Sequence, residues 1–154
     1  MKIYLATDHA GFEMKEGIKE ALLQDGFEVE DCGAHAYVES DDYPDFIAVA
    51  ARAVSNDANN SRAIILGGSG QGEAMLANKF ARVRAVAFYG SQGEIVTLSR
   101  EHNDANVISI GARFVTTEEA KRIVKVWLHT EFSQDERHVR RLAKIRDIEE
   151  DLLH

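Results

Sequence analysis

A glycine-rich loop with an acidic residue at its far end is the part of this sequence best suited to chemistry. An apolar run, Ile64–Leu66, leads into it, and the loop itself reads Gly67-Gly68-Ser69-Gly70-Gln71-Gly72-Glu73. Glycine lets the backbone approach a ligand closely, and successive backbone N–H groups attract negative charge. A carboxylate in this position would repel a bound phosphate. Glu73 makes chemical sense as a base beside a loop that stabilises an oxyanion formed when a proton is removed.

Two common glycine motifs do not fit this loop. A Walker loop requires Lys and then Ser or Thr after its last glycine, whereas Gly72 is followed by Glu73 and Ala74. The dinucleotide fingerprint begins well at Gly68, but Glu73 occupies the position of its third glycine. The alternative to an oxyanion loop is a strand-to-helix turn that binds no ligand.

Two further polar clusters stand next to predicted strands. Asp8-His9-Ala10-Gly11 follows the first strand, and the segment from Arg100 to Asn106 precedes the fifth. Open parallel sheets bind ligands at the carboxyl ends of their strands. We therefore expect both clusters and the glycine loop to gather near one edge of the sheet. An Asp–His pair alone is more often structural, but its coincidence with an anion loop favours a functional site.

Composition and charge exclude several classes of protein. The 154 residues are 45% hydrophobic and 29% charged, as expected of one globular domain spanning 1–154. The net charge of −8 argues against a nucleic-acid partner. The sequence contains no apolar run of about 20 residues, so we expect no membrane span. A single cysteine, Cys32, can form no internal disulfide and fits a reducing cytoplasm. We interpret it as a structural thiol.

Strand-like and helix-like patterns alternate along the chain. This alternation predicts a Rossmann-like α/β fold, an open five-stranded parallel sheet with helices on both faces. The predicted strands are Lys2–Thr7, Phe27–Asp31, Ala63–Leu66, Arg84–Phe88 and Val107–Ser109. The predicted helices are Phe12–Gln24, Asp45–Ser55, Ala74–Phe80, Gly93–Arg100 and Thr117–Trp127.

The C-terminal segment combines an apolar stripe with a basic cluster on one predicted helix. The stripe consists of Val139, Leu142, Ile145, Ile148 and Leu152. Arg137 and Arg141 lie four residues apart and share a face that suits phosphate or carboxylate. The alternative is a solvated basic face that balances nearby acidic residues. No later element covers the stripe, so we expect an interface helix that packs on another subunit.

Taken in order, the polar motifs closely resemble those of the type B ribose-5-phosphate isomerases and their relatives that act on galactose 6-phosphate. The motifs are Asp8-His9-Ala10-Gly11, Asp42-Tyr43-Pro44, Gly67 to Glu73, Ala77-Asn78-Lys79, His102 to Asn106, Gly111-Ala112-Arg113, and Arg137-His138 with Arg141. The resemblance runs from Lys2 to about Glu149. It implies an aldose–ketose isomerisation through a cis-enediolate, without metal or organic cofactor.

The resemblance also implies roles for single residues. Many members of the family carry a cysteine base at the position of Gly67, and this chain resembles the branch whose base is a glutamate across the loop, here Glu73. His102 would serve as acid and base for opening the sugar ring. Asp8 would orient the substrate hydroxyls, and Tyr43 would border the sugar.

The remaining roles concern negative charge. The oxyanion would be held by the backbone amides of Gly68, Ser69, Gly70, Gln71 and Gly72 and by the side chain of Asn103. The phosphate would be held by His9, Arg113, Arg137 and Arg141, with His138 close by. Resemblance further implies a homodimer or a dimer of dimers whose active sites are shared between subunits.

The expected reaction interconverts ribose 5-phosphate and ribulose 5-phosphate. The alternatives are an isomerase for a tetrose or hexose phosphate, such as galactose 6-phosphate or allose 6-phosphate, and a non-catalytic binder of sugar phosphates. Glu73 and His102 together argue against the binder, because binding a phosphate requires neither. No set of His, Cys and carboxylate residues has metal-ligand spacing, so we expect no metal site.

Overall fold

The computed structural model of the chain describes residues 1–90 and 93–152. Its strands are β1 (Lys2–Thr7), β2 (Glu28–Asp31), β3 (Ser61–Gly67), β4 (Ala85–Phe88) and β5 (Val107–Gly111). Its α-helices are α1 (Phe12–Gln24), α2 (Tyr43–Asn56), α3 (Gln71–Ala77), α4 (Gly93–Glu101), α5 (Thr117–His129) and α6 (Glu136–Leu152). The strands form one parallel sheet in the order β2-β1-β3-β5-β4. The predicted Rossmann-like α/β fold is confirmed, and the C-terminal helix is present.

Apolar packing covers both faces of the sheet. Side chains of β3 alternate between the two faces, so Ile64 and Leu66 join the core beneath α1, α4 and α5. Ala63 and Ile65 join the core beneath α2 and α3. A continuous apolar run is the pattern expected of a parallel strand that is covered on both sides.

Two boundaries near the glycine loop differ from the prediction. β3 continues to Gly67, and α3 begins at Gln71 instead of Ala74. Gly70 takes a φ of 77° and forms the N-cap of α3, after which the chain is helical. The loop is therefore shorter than predicted, and Glu73 belongs to the first turn of α3.

The expectation that all three polar clusters gather at one edge of the sheet is wrong. Asp8 follows β1 and the glycine loop follows β3, so both lie at the carboxyl edge. The segment from Arg100 to Asn106 instead connects α4 with the beginning of β5. In a parallel sheet every strand begins at the same edge, so helix-to-strand connections lie at the amino edge.

The strand register gives the same separation. Val107, the first residue of β5, is level with Ala63 near the beginning of β3, and Gly111 is level with Gly67 at its end. His102 precedes β5, whereas the glycine loop follows β3. The two are therefore separated by the length of the strands within one chain.

The helix α6 begins at the amino edge, close to the end of α4. The backbone N–H of Ser133, just before α6, donates to the carbonyl of Glu101 at 3.1 Å. Much of the predicted stripe is exposed on the single chain: Val139 by 44%, Ile145 by 54%, Ile148 by 60% and Leu152 by 81%. Neither α6 nor any other helix in the described part of the chain is both long and apolar enough to span a membrane.

A buried lysine fixes the chain where it leaves β2. Lys15 on α1 is fully buried, and its Nζ donates to both carboxylate oxygens of Asp31, at 2.6 and 2.7 Å, and to the carbonyl of Ala34 at 2.8 Å. Lys19 donates to Asp31 as well, at 2.8 Å. Burial raises the pKa of Asp31, but hydrogen bonds from Lys15, Lys19 and the backbone of Gly33 lower it to about 2. The pair ties α1 to the end of β2.

We expect Lys15→Ala to lower the free energy of unfolding by about 3 kcal/mol, because removing one partner of a buried pair leaves the other charge poorly compensated. Lys19→Ala removes a partly exposed partner of the same carboxylate and should cost less than about 1 kcal/mol. Urea unfolding of the two variants measures both values. Equal losses would show that burial of Lys15 adds nothing to the strength of the pair.

Candidate active site

The Glu73 carboxylate lies against the carboxyl end of β3. Glu73 is only 4% exposed, although it belongs to the first turn of a helix. A Cβ built on Gly67 would collide with Oε1 of Glu73 and lie 2.6 Å from Oε2. A side chain at residue 67 is therefore incompatible with this position of the carboxylate.

The environment of Glu73 disfavours its charged form. Burial raises the pKa of this carboxyl, and a hydrogen bond from its own backbone N–H opposes the shift. The negative charge of Asp8 raises the pKa further. A carboxylate whose pKa is raised toward neutrality is suited to removing a proton and returning it.

The glycine loop is held in one shape by the end of β5. Ser109 Oγ donates to the carbonyl of Gly70 at 2.6 Å, and the backbone N–H of Arg113 donates to the carbonyl of Gly68 at 3.1 Å. Gly70 has a positive φ, and a Cβ there would approach the β5 backbone to 3.1 Å. Glycine is needed at this position both for its φ and for the close approach.

The five amides predicted as oxyanion donors are divided by the beginning of α3. Those of Gly68, Ser69 and Gly70 belong to the loop, and those of Gln71 and Gly72 open the helix. N–H groups in the first turn of a helix have no intrahelical acceptor. The Gln71 N–H donates to Ser69 Oγ at 3.3 Å, and this is its one side-chain acceptor among the described residues.

A guanidinium group and a tyrosine hydroxyl flank the loop. Arg113 Nη1 lies 3.3 Å from the place that a Cβ on Gly68 would take. The hydroxyl of Tyr43, the first residue of α2, lies 2.8 Å from the place of a Cβ on Gly72. Both side chains were predicted site residues, and β5 and α2 bring them to the loop because residues 68 and 72 leave room for them.

Asp41 is an additional residue of this region that the sequence does not reveal. Its Oδ1 accepts the backbone N–H of His9 at 2.9 Å and lies 2.7 Å from the ring Nδ1. The predicted Asp8 accepts the backbone N–H of Ala10 at 2.9 Å. Nothing in the spacing distinguishes Asp41 from its neighbour Asp42, since only the path of the loop decides which of them meets His9.

The side chains of Asp8, His9 and Asp41 are the one group of potential metal ligands within the described ranges whose ligand atoms lie within 4.8 Å of one another. The geometry between two of them is that of a hydrogen bond. Two ligands of a tetrahedral zinc ion are about 3.4 Å apart, given bonds of about 2.1 Å. The 2.7 Å between His9 Nδ1 and Asp41 Oδ1 is a normal hydrogen-bond length. We therefore describe these two residues as a hydrogen-bonded pair.

His102 and His138 form a stacked pair at the amino edge. Their ring centroids are 4.2 Å apart and their planes differ by 16°. His138 is 3% exposed, and its Nε2 has no hydrogen-bond partner among the residues that the structure describes. Burial lowers the pKa of His138, and the charges of His102 and Arg137 lower it further. The buried ring is therefore neutral near pH 7, so the stack carries no more than the charge of His102.

The predicted site residues fall into two groups within one chain. The loop group, at the carboxyl edge, consists of Asp8, His9, Tyr43, Gly68, Ser69, Gly70, Gln71, Gly72, Glu73 and Arg113. The histidine group, at the amino edge, consists of His102, Asn103, Arg137, His138 and Arg141. Arg137 and Arg141 are exposed on α6. Neither group contains all the residues that the sequence assigns to one site.

Cys32 belongs to neither group. It packs half-buried against the core beneath α2. Burial raises the pKa of its thiol to about 11, with further contributions from Glu30 and Asp31. A thiol with this pKa is protonated at neutral pH and is a poor nucleophile, in agreement with the interpretation as a structural residue.

The model of one protein family, described as Ribose/Galactose Isomerase, matches residues 3–145. The chain belongs to this family. It is 44% identical to the ribose-5-phosphate isomerase B of Mycobacterium tuberculosis H37Rv, over 97% of this chain and 90% of that protein. It is 39% identical to the Escherichia coli K12 ribose-5-phosphate isomerase B, over 97% of each chain.

Solved structures of the family share the fold. The ribose-5-phosphate isomerase B of Mycoplasma genitalium with bound ribulose 5-phosphate has a TM-score of 0.92 at 36% identity, covering 97% of this chain and 96% of that one. The Clostridium thermocellum ribose-5-phosphate isomerase B has a TM-score of 0.91 at 39% identity and covers 99% of both chains.

We expect Gly67→Ala to destabilise the protein by about 1–3 kcal/mol, because the added methyl group overpacks the space that the Glu73 carboxylate fills. In a Glu73→Ala background the same substitution should cost clearly less, since the colliding atoms are gone. Urea unfolding of the four proteins in this cycle gives the coupling between the two positions. An equal cost in both backgrounds would mean that the carboxylate does not lie over residue 67.

Proposed function

We propose that the chain interconverts ribose 5-phosphate and ribulose 5-phosphate, with residues 1–154 acting as a single sugar-phosphate isomerase domain. The observation that carries the proposal is the Glu73 carboxylate, buried beside the glycine loop and raised in pKa. The names of the relatives and the ribulose 5-phosphate bound to the Mycoplasma genitalium protein support this choice of substrate.

The proposed reaction moves a proton between neighbouring carbons through a cis-enediolate. Glu73 takes the proton from C2 of the open-chain aldose, the C1–C2 double bond forms, and O1 becomes anionic. A proton then passes from O2 to O1, and Glu73 returns its own proton to C1, which leaves a ketone at C2. Loop amides beside Glu73 and the Asn103 side chain would stabilise the anionic oxygen.

Ribose 5-phosphate is mostly a closed furanose, so the ring must open first. We assign this step to His102, which would exchange protons with the ring oxygen and the anomeric hydroxyl. Stacking on the buried, neutral His138 supports this assignment, because it fixes the plane of the His102 ring. A positioned imidazole can act as acid and base near pH 7.

The remaining residues would bind the substrate away from the reacting carbons. Asp8 would orient the sugar hydroxyls. Tyr43 would border the sugar at the point where the tyrosine hydroxyl meets the loop. The phosphate would be held by His9, Arg113, Arg137 and Arg141, with His138 close by. Holding the phosphate places C1 and C2 relative to Glu73, which lowers the entropic part of the barrier.

We further propose a homodimer, or a dimer of such dimers, whose sites each combine the loop group of one subunit with the histidine group of another. The strand register supports this, because it places the two groups at opposite edges of the sheet in one chain. The exposed stripe on α6 supports it as well, since the same helix carries Arg137 and Arg141. An exposed apolar patch beside functional residues is typical of an interface.

The proposed chemistry uses no metal, organic cofactor, nucleic acid or membrane. A proton transfer between adjacent carbons leaves the substrate's overall oxidation level unchanged, so a general base and an oxyanion site suffice. We place the activity in the cytoplasm, where a chain whose sole cysteine is Cys32 needs no disulfide.

An activity assay with several sugar phosphates separates the alternatives. Ketose formation is measured with ribose 5-phosphate and with galactose 6-phosphate, allose 6-phosphate and a tetrose phosphate at equal concentrations. The proposal expects the highest kcat/KM for ribose 5-phosphate. A higher value for another sugar phosphate would change the substrate, and binding without turnover of any of them would leave only the non-catalytic binder.

We expect Glu73→Gln to reduce kcat by at least about 10²-fold with little change in KM, because the amide keeps the shape but cannot accept the proton. In the wild type, activity should fall as the pH drops through the raised pKa of Glu73, since the base must be deprotonated. A steady-state assay over a range of pH measures both effects. Cys32→Ser is the control and should retain nearly full activity. Near-normal turnover of Glu73→Gln would place the base elsewhere.

We expect complementation between two inactive variants if the site is shared. Glu73→Gln and His102→Ala subunits are mixed and allowed to exchange, which gives mixed dimers with one intact site each. At equal mixing, about a quarter of the wild-type activity should return, since half of the dimers are mixed and half of their sites are intact. Exchange is verified with differently tagged subunits. No recovery despite exchange would place both residues on one chain.

A further inference from the structure

Asp41 contacts His9 at two points with a single oxygen. Oδ1 accepts the backbone N–H at 2.9 Å and lies 2.7 Å from the ring Nδ1. The Asp41 side chain is 11% exposed, and its Oδ2 is buried without a hydrogen-bond partner among the described residues. A buried carboxylate with one unpaired oxygen is costly, and its bonds to His9 offset part of that cost. The pair fixes the backbone and the ring of His9 together.

The hydrogen bond decides which ring nitrogen remains available. An ionised carboxylate can only accept, so the ring donates through Nδ1–H. Nε2, on the other side of the ring, is then free to meet a ligand. The neighbouring Asp42 is exposed and makes no side-chain capping bond at the beginning of α2, so the contact belongs to Asp41 alone.

Charged groups approach His9 from three parts of the chain. Asp41 comes from the loop before α2, Asp8 from the end of β1, and Arg113 from the segment after β5. The ring of Tyr37 meets the imidazole edge-on, with centroids 6.1 Å apart. The hydrogen bond to Asp41 raises the pKa of His9, as do the charges of Asp8 and Asp41, whereas partial burial and Arg113 lower it. The net shift is upward.

We infer that Asp41 is a positioning residue that orients His9 and favours the protonated form of its ring, so that Nε2–H faces the phosphate group of the substrate. This inference rests on the proposed function, in which His9 is one of the phosphate ligands. A charged donor binds a phosphate oxygen more strongly than a neutral one. Asp41 thereby supplies positive charge to the loop group indirectly, through the imidazole.

Asp41→Asn tests the inference because the amide keeps the size of the carboxylate and can still accept from His9. The KM and kcat for ribose 5-phosphate are measured at several values from about pH 5.5 to about pH 8.5, a range that spans the ordinary pKa of histidine. Between the ordinary pKa and the raised pKa of the wild-type ring we expect the KM of the variant to exceed that of the wild type by up to about tenfold, as for the loss of a hydrogen bond to a charged group. At the lowest pH both rings are protonated and the ratio should approach one.

The pH dependence expected for the KM ratio follows from the upward shift of the His9 pKa. A histidine whose pKa is raised stays charged to higher pH, so removing Asp41 matters most between the ordinary pKa of the ring and its raised pKa in the wild type. Titration of the substrate phosphate affects both proteins alike and cancels in the ratio. The kcat should change much less than the KM, because Asp41 touches neither of the reacting carbons.

Two controls separate positioning from a structural effect. Glu39→Gln removes the same charge from an exposed position of the same loop and should leave both constants unchanged. In a His9→Gln background, Asp41→Asn should have no further effect on KM. A KM ratio that does not vary with pH would overturn the inference. So would an undiminished effect of Asp41→Asn on KM in the His9→Gln background.

A titration of His9 followed by NMR provides a readout that does not depend on turnover. The ring signals are assigned by their loss in His9→Gln, and the pKa should lie above the ordinary value in the wild type and fall in Asp41→Asn. An ordinary or lowered pKa in the wild type would overturn the inference even if the variant did not fold. Absence of ribose 5-phosphate turnover in the wild type would instead refute the proposed substrate and leave this titration valid.

Discussion

The arrangement of the loop group depends on the absence of a side chain at residue 67. The Glu73 carboxylate occupies the space where that side chain would be, at the end of β3. This position buries the carboxylate beside Asp8, and burial and the neighbouring charge raise its pKa. A cysteine at residue 67 could not coexist with the glutamate in this place, because its Cβ would collide with the carboxylate. The end of β3 therefore accommodates a side chain at residue 67 or the Glu73 carboxylate, but not both at once.

The parallel sheet imposes the second constraint. Connections from strand to helix lie at one edge and connections from helix to strand at the other, so residues that follow β1, β3 and β5 meet, whereas those that precede β5 cannot join them. The chain carries the Glu73 carboxylate on one side of the sheet and a stacked histidine pair on the other. Association through α6 would bring the two sides together without any change of fold.

The strands and most of the helices could be predicted from apolar periodicity, and motif order selected the residues of both groups as candidates. The beginning of α3 could not, because glycines at 70 and 72 suggest a loop, whereas Gly70 caps a helix that Ser109 helps to hold in place. The separation of His102 from Glu73 follows from the strand order, because His102 precedes its strand, whereas the polar residues at the carboxyl edge of a parallel sheet follow theirs. The role of Asp41 could not be predicted, because the tertiary path of the loop before α2 determines which of two adjacent aspartates reaches His9.

Charge gives an independent argument for the proposed sharing of the site between subunits. The loop group and its partner Asp41 contain three carboxylates, those of Asp8, Asp41 and Glu73, against the guanidinium of Arg113 and the imidazole of His9. A sugar phosphate adds about two further negative charges near neutral pH. Arg137 and Arg141 are exposed on α6. Bringing them to the loop group of another subunit would neutralise the phosphate, so substrate binding and assembly would stabilise each other through the same two arginines.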